Sequence, residues 1–223
     1  MNREAALRAA LAETARQTVA QGLNQGASGN VSARWEDGFL VTPSGLPGAA
    51  LQPAQMVFVG LNGEVRGDLK PSSEWRIHRD IYRARPEIRA VVHAHSPYAV
   101  SLSCLRRAIP PFHYMVAAAG GRDIRCADYA TFGTQALSEA VLAALHDRRA
   151  CLMSNHGQVA AGGNLESALA LALEVEALCA QYWRATLMGE PVLLDDAEMD
   201  VVLERFKDYG QRGKPVPQSG GAA

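Results

Sequence analysis

The stretch RAVVHAHSPY, residues 89–98, constrains the fold more than any other in the chain. A short apolar, β-branched run follows Pro86 and runs into Pro97, which predicts a buried strand ended by a turn. Side chains alternate along a strand, so His93 and His95 point the same way and Ala94 the other. One strand end therefore aims two imidazoles at one spot.

The segments on either side predict a sheet with helices around it. Residues 1–23 place Leu7, Leu11, Ala15 and Val19 at helical spacing. GLNQGASGN is a turn-rich stretch, and VSARWEDGFLVTPSGL reads as strand, Asp-Gly turn, strand. MVFVGLNGEVRGD repeats that logic around Asn62-Gly63, so the first third reads as an antiparallel meander. PSSEWRIHRDIYRARPEI predicts a helix entered at Pro71-Ser72 and closed by Pro86. PYAVSLSCL, FGTQALSEAVLAALHD, the long NLESALALALEVEALCAQYWRATLMG capped by Asn164, and AEMDVVLERFKDYG ended by Gly210 read as further helices. ACLMSN and QVAAGG read as strands around a turn at His156-Gly157. The long helix carries Ala and Leu on opposite faces, which predicts burial on more than one side. The pattern gives an α/β fold: a three-layer α/β/α sandwich around a mixed, mostly antiparallel central sheet. Residues 1–210 are expected to form one domain and 211–223 a flexible tail.

A chain of 223 residues with 48% hydrophobic and 20% charged side chains has ample material for a core. Its net charge of −1 gives no basic surface for nucleic acid or an anionic membrane. No stretch approaches the length of a transmembrane helix, and the N-terminus has no signal-peptide pattern. Cys104, Cys126, Cys151 and Cys179 form no paired motif and read as reduced, buried thiols. A cytoplasmic protein is expected.

His156, at the end of the CLMSN strand, is the third imidazole placed at a strand end. Three neutral imidazoles from two strand ends match the ligand set of a catalytic divalent metal with one position left open. Nitrogen ligation favours Zn2+, with Co2+, Ni2+ or Mn2+ as possible substitutes. The competing reading for each is a hydrogen-bonded core histidine. His146 reads as a solvent-facing helix end and His78 as part of a charged helical stretch; neither these nor His113 is taken as a ligand. Glu74 shares a helix face with Ile77 and Ile81, which puts a carboxylate on the stripe that faces the core. Burial is expected to raise its pKa toward proton-transfer values, the alternative being an acidic residue complementing a helix dipole. Ser72 and Ser73 at the same helix start, with the small residues of QGASGN and TPSG, point to an anion pocket beside the metal.

These residues resemble the class II aldolase/adducin family. The likeness runs in order through NQGASGNVS, TPSG, PSSEW, HAHSPYA, HYMVAAAGG, YATFGT, NHG and VLERFKDYG, which covers nearly the whole chain. It implies zinc held by His93, His95 and His156, with Glu74 as an additional resting ligand that substrate displaces and that then acts as acid/base. It implies phosphate binding by Asn30, Ser44, Gly45, Ser72 and Ser73, and a pocket formed with Ala27, Ser28, Gly29 and Phe132. It implies that the catalytic tyrosines Tyr114 and Tyr209 reach the site from a neighbouring subunit of a homotetramer with active sites at subunit interfaces. The implied activity is reversible cleavage of a ketose 1-phosphate, such as L-fuculose 1-phosphate, to dihydroxyacetone phosphate and an aldehyde. Within the family, 5-deoxyribulose or 5-methylthioribulose 1-phosphate are alternative substrates. A pentulose-phosphate epimerase fits less well, since those relatives have aspartate at the position of Glu74, and a dehydratase matches HYM and FKDYG less well. An adducin-like interaction module, without metal, is the reading from a different class. One departure stands out: Ala27 occupies the place of a threonine whose hydroxyl contacts phosphate in fuculose-cleaving members, at a cost on the order of 1 kcal/mol. Ser28 is the neighbour placed to compensate.

Overall fold

The structure is a computed structural model that describes residues 2–208. Six helices and eight strands follow in chain order: α1 (Arg3–Ala20), β1 (Asn30–Trp35), β2 (Gly38–Val41), β3 (Val57–Gly60), β4 (Val65–Arg66), α2 (Trp75–Ala84), β5 (Ala90–Ala94), α3 (Pro97–Ser103), β6 (Cys126–Ala127), α4 (Gln135–Ala144), β7 (Ala150–Met153), β8 (Gly157–Gly162), α5 (Leu165–Met188) and α6 (Asp196–Asp208). The strands form one sheet in the order β4-β3-β2-β1-β5-β8-β7-β6. Every neighbour is antiparallel except the parallel pair β6 and β7. The expected meander is the β4-β3-β2-β1 half.

Alternation along the strands divides the core in two. Val31, Ala33, Leu40, Val92 and Leu152 pack on the face covered by α1, α3, α5 and α6. Val41, Val59, Val91, Met153 and Val159 pack on the opposite face against Ile77 and Ile81 of α2 and Leu137 and Val141 of α4. Both helix pairs have four-residue spacing, one stripe facing the sheet. Each such side chain, once buried, contributes roughly 1.5–3 kcal/mol. These are the three layers expected from the sequence. None of the helices is long and apolar enough to cross a membrane among the described residues.

The structure corrects several local expectations. The first hairpin turns at Glu36-Asp37, because Trp35 pairs with Gly38 and Glu36 takes the left-handed conformation (φ 49°). Helix α2 begins at Trp75, so Glu74 is its N-cap rather than a first-turn residue. The turn between β7 and β8 is Ser154–His156, with Asn155 left-handed (φ 54°), and Gly157 already pairs with Met153 inside the sheet. Gly157 is needed for a different reason than turning: a Cβ there would lie 2.3 Å from the Ala94 carbonyl oxygen. Along α5, buried residues form one broad stripe ending at Ala180, and Trp183, Leu187 and Met188 beyond it are exposed. Among the cysteines, Cys151 and Cys179 are buried, Cys126 is half-buried and Cys104 is exposed at the end of α3. Gly210 and residues 211–223 lie outside the described residues.

Candidate metal centre and anion pocket

Strand β5 delivers His93 and His95 from its C-terminal end onto the α2/α4 face, and antiparallel β8 brings the preceding turn, with His156, beside them. The N-cap position of α2 places Glu74 opposite. One ligand atom from each of these four residues lies within 4.8 Å of all the others. The His95 Nε2 atom is 2.9 Å from His93 Nε2 and 3.1 Å from His156 Nε2. Glu74 Oε2 is 3.1 Å from His93 Nε2, and Oε1 is 3.1 Å from His156 Nε2.

The backbone around these rings is pinned. His93 donates its Nδ1 proton to the Gln158 carbonyl at 2.8 Å, so the ring in its neutral form presents its lone pair to the cluster at Nε2. Asn24 accepts the His95 amide at 2.9 Å. Gly29 makes room for it, since a Cβ there would meet the Asn24 carboxamide at 2.3 Å. Just beyond His95, the Glu176 carboxylate of α5 takes the Ser96 hydroxyl and the Tyr98 and Ala99 amides, capping α3.

The His95 nitrogen, about 3 Å from each of the other two, cannot turn its lone pair to theirs without a cation between them. An ion ligated tetrahedrally at the usual zinc–nitrogen distance would separate its ligands by about 3.3 Å, close to what is observed. Glu74 Oε1 is buried and, among the described residues, has no neighbouring polar group but the His156 ring nitrogen at 3.1 Å, so a cation would supply the partner it needs. The residues present therefore fit a divalent metal ion. Burial raises the Glu74 carboxyl, but the His93 and His156 imidazoles outweigh it and hold the group well below the usual carboxylate range. The sequence expectation of a raised value is thus reversed, because burial comes with two basic neighbours. Burial lowers the His93 imidazole, yet the Glu74 carboxylate more than offsets this and raises it. Burial, with His93 and His156 alongside, pushes His95 down to about 3.

The cluster forms one wall of a cavity of about 410 Å³. Ala27, Ser28, Gly29, Asn30, Ser44, Gly45, Ser72, Ser73 and Phe132, singled out from the sequence, all line it, together with Tyr129 and Asn155, which were not. Among the described residues no lysine or arginine lines it. An anion here would be held by hydroxyls, amides and the start of α2. Ser28 has its hydroxyl committed within its own loop, donating to the Gln25 carbonyl at 2.6 Å, and is not free to replace the hydroxyl absent at Ala27. The Asn30 carboxamide is engaged at both ends, with Nδ2 on Glu74 at 3.0 Å and Oδ1 against His78 at 2.5 Å. Tyr114 is 49% exposed at the start of a 3-10 turn and does not line the cavity. Tyr209 lies outside the described residues.

His78, read from the sequence as part of a charged helical stretch and not as a ligand, lies in that helix with its side chain fully buried against the sheet. Its spacing of four from Glu74 on a core-facing stripe was the available signal. Asn24 carried only the signal of opening the glycine-rich turn.

Residues 9–183 match the family model for the Class II Aldolase and Adducin N-terminal domain. The chain is 53% identical over 213 residues to a 5-methylthioribulose-1-phosphate/5-deoxyribulose-1-phosphate aldolase of Rhodospirillum rubrum, covering 95% of this chain and 96% of that protein. It is 49% identical over 201 residues to an L-fuculose phosphate aldolase of Escherichia coli K12, covering 90% and 94%. A solved structure of L-fuculose 1-phosphate aldolase superposes with a TM-score of 0.88 at 38% identity, covering 91% of this chain and 96% of that one.

Proposed function

The chain belongs to the Class II Aldolase and Adducin N-terminal domain family, and from that premise we propose that it is a zinc-dependent aldolase. In this reading it reversibly cleaves a ketose 1-phosphate to dihydroxyacetone phosphate and a short aldehyde. The observation that carries the reading is the convergence of Glu74, His93, His95 and His156 on one point beside a cavity that Ser44, Gly45, Ser72 and Ser73 also line. An interaction module would have no use for three imidazoles and a buried carboxylate held this way.

His93, His95 and His156 would hold the ion, with Glu74 as a further ligand at rest. When bound, the ion supplies Lewis-acid polarisation of the ketose carbonyl and stabilises enediolate charge. The Ser72 and Ser73 segment at the start of α2, with Ser44 and Gly45, binds the phosphate and orients the chain of the sugar. In the condensation direction the ionised Glu74 takes a proton from the hydroxymethyl carbon of dihydroxyacetone phosphate. In cleavage the proton of the departing hydroxyl passes to Tyr114. Glu74, protonated from solvent once released, delivers its proton to the same carbon after the carbon–carbon bond has broken, and Tyr114 then gives its own back to solvent. Tyr114 holds the proton of the hydroxyl that becomes the aldehyde oxygen. Its exposure, and its place outside the cavity of its own chain, support its serving the site of a neighbouring copy, as in a homotetramer with sites between subunits. Tyr209 is assigned alongside it on the family resemblance alone.

The substrates named for the two relatives share the ketose 1-phosphate end and differ in the aldehyde they release. Fuculose 1-phosphate leaves lactaldehyde, whereas the 5-deoxy and 5-methylthio pentuloses leave acetaldehyde and its methylthio derivative. The second reading, a 5-deoxyribulose or 5-methylthioribulose 1-phosphate aldolase, draws on the 53% identical relative. It also draws on Tyr129 and Phe132 at the cavity mouth, 56% and 66% exposed, which an apolar aldehyde end would cover.

A panel of L-fuculose, 5-deoxyribulose and 5-methylthioribulose 1-phosphates, assayed for release of dihydroxyacetone phosphate, tests both readings. Release from at least one, abolished by a chelator, is expected. Failure on all three with metal-loaded protein would sink the aldolase reading.

A further inference from the structure

Helix α2 and its N-cap present Glu74, His78 and Tyr82 at four-residue spacing, and the facing strand β1 presents Asn30 and Ser32 two residues apart. Their polar atoms form one unbranched chain. Asn30 Nδ2 donates to Glu74 Oε2 at 3.0 Å. Asn30 Oδ1 meets His78 Nε2 at 2.5 Å, His78 Nδ1 meets Ser32 Oγ at 2.6 Å, and Ser32 Oγ meets Tyr82 Oη at 2.7 Å. No member is more than 6% exposed.

Hydrogen-bond chemistry gives this chain a single direction. A carboxylate only accepts, so Asn30 must turn its NH2 toward Glu74 and its carbonyl toward His78. That carbonyl needs a donor, which puts the imidazole proton on His78 Nε2 and leaves Nδ1 bare. Nδ1 then accepts from the Ser32 hydroxyl, whose oxygen accepts from Tyr82. Every donor points toward Glu74. Burial, with His93 nearby, pushes the His78 imidazole down to about 3, so the ring stays neutral and the direction holds across ordinary pH.

Stability alone does not call for such a chain. The surrounding cluster of Phe39, Ile77 and Ile81 is apolar, and replacing both partners of a buried hydrogen bond by apolar groups is often close to neutral. We propose that His78 is a positioning residue for the lyase reaction: it locks the Asn30 carboxamide with its NH2 toward Glu74 and so fixes where the acid/base carboxylate rests. The proposal builds on the reading of Glu74 given above. Without the His78 donor, Asn30 can rotate its carbonyl toward a carboxylate that repels it, and Glu74 Oε2 loses the amide that holds it from the β1 side.

The test compares His78→Leu and His78→Gln in metal-loaded enzyme with whichever ketose 1-phosphate of the panel is cleaved. Outer partners of metal sites typically account for about 10–100-fold in activity. His78→Leu is expected to lower kcat by that factor with KM within about threefold, because Ser44, Gly45, Ser72 and Ser73, which hold the phosphate, do not touch His78. His78→Gln, whose amide NH2 can still donate to Asn30, is expected to recover most of the loss. Independently of activity, 15N spectra of the histidine rings in metal-free protein should show His78 neutral and protonated at Nε2 from pH 5 to 9. That measurement stands whether or not His78→Leu folds. A ring protonated at Nδ1, or an indifferent His78→Leu beside an active wild type, overturns the positioning role alone. A wild type inactive on the whole panel overturns the aldolase reading and this proposal with it.

Discussion

Glu74→Gln is expected to leave a folded protein that still binds a divalent ion but turns over about a thousandfold more slowly, within the 10²–10⁴ range for removing a general acid/base. The amide is isosteric, so the three imidazoles keep their positions and the cavity keeps its shape. Its oxygen can still accept from Asn30. What it loses is the capacity to take a proton from carbon and return it, and among the described residues no other carboxylate lines the cavity. Steady-state assay beside metal analysis checks this: a variant with near-normal kcat would show that proton transfer belongs to another group.

The second large effect separates ligands that look equivalent in the sequence. His93→Ala and His156→Ala are both expected to lose metal and activity, but only the first should lose substantial stability. His93 is fully buried, and its Nδ1 proton satisfies the Gln158 carbonyl inside the sheet. Truncating it leaves a cavity, an orphaned carbonyl and a Glu74 carboxylate deprived of its most buried partner, at a cost of about 2–4 kcal/mol. His156 sits in a turn with its side chain 12% exposed, and removing it lets water reach Glu74 from the open cavity. Thermal unfolding in chelator, where bound metal adds nothing to either variant, should show His93→Ala lowered by roughly 5–15 °C and His156→Ala by a few degrees at most. Equal losses would mean that the sheet does not depend on His93 as described.

Why the sequence disclosed the metal cluster but not its setting follows from the range of the signals. His93 and His95 share a strand face, and their spacing of two is a local signal that needs no partner. The three-layer sheet was legible for the same reason: the short apolar runs of β2, β3 and β8, bounded by turn residues, and the four-residue stripes of α2 and α4 are each contained in one element. Glu74 announced itself as a charge on an apolar stripe, yet the direction of its pKa depended on His93 and His156, distant in sequence, and came out opposite to what burial alone dictates. His78 sits among arginines in sequence, and only the pairing of α2 with Asn30 and Ser32 of β1 explains its burial. The short β6 strand and the 3-10 turn at Tyr114–Ala119 have too few residues to show a period. Gly157 reads as a turn residue until β5 is laid beside it and the Ala94 carbonyl occupies the space of its missing side chain.

The claim beneath all of this is that His93, His95, His156 and Glu74 together bind one divalent cation. Calorimetric titration of metal-stripped protein with Zn2+ addresses it directly. The arrangement predicts one site per chain, lost in His95→Ala, with protons released to buffer on binding because His93 holds its proton more firmly in the stripped protein. Stripped protein that takes up no zinc, or a His95→Ala variant that takes it up as well as the wild type, would contradict it.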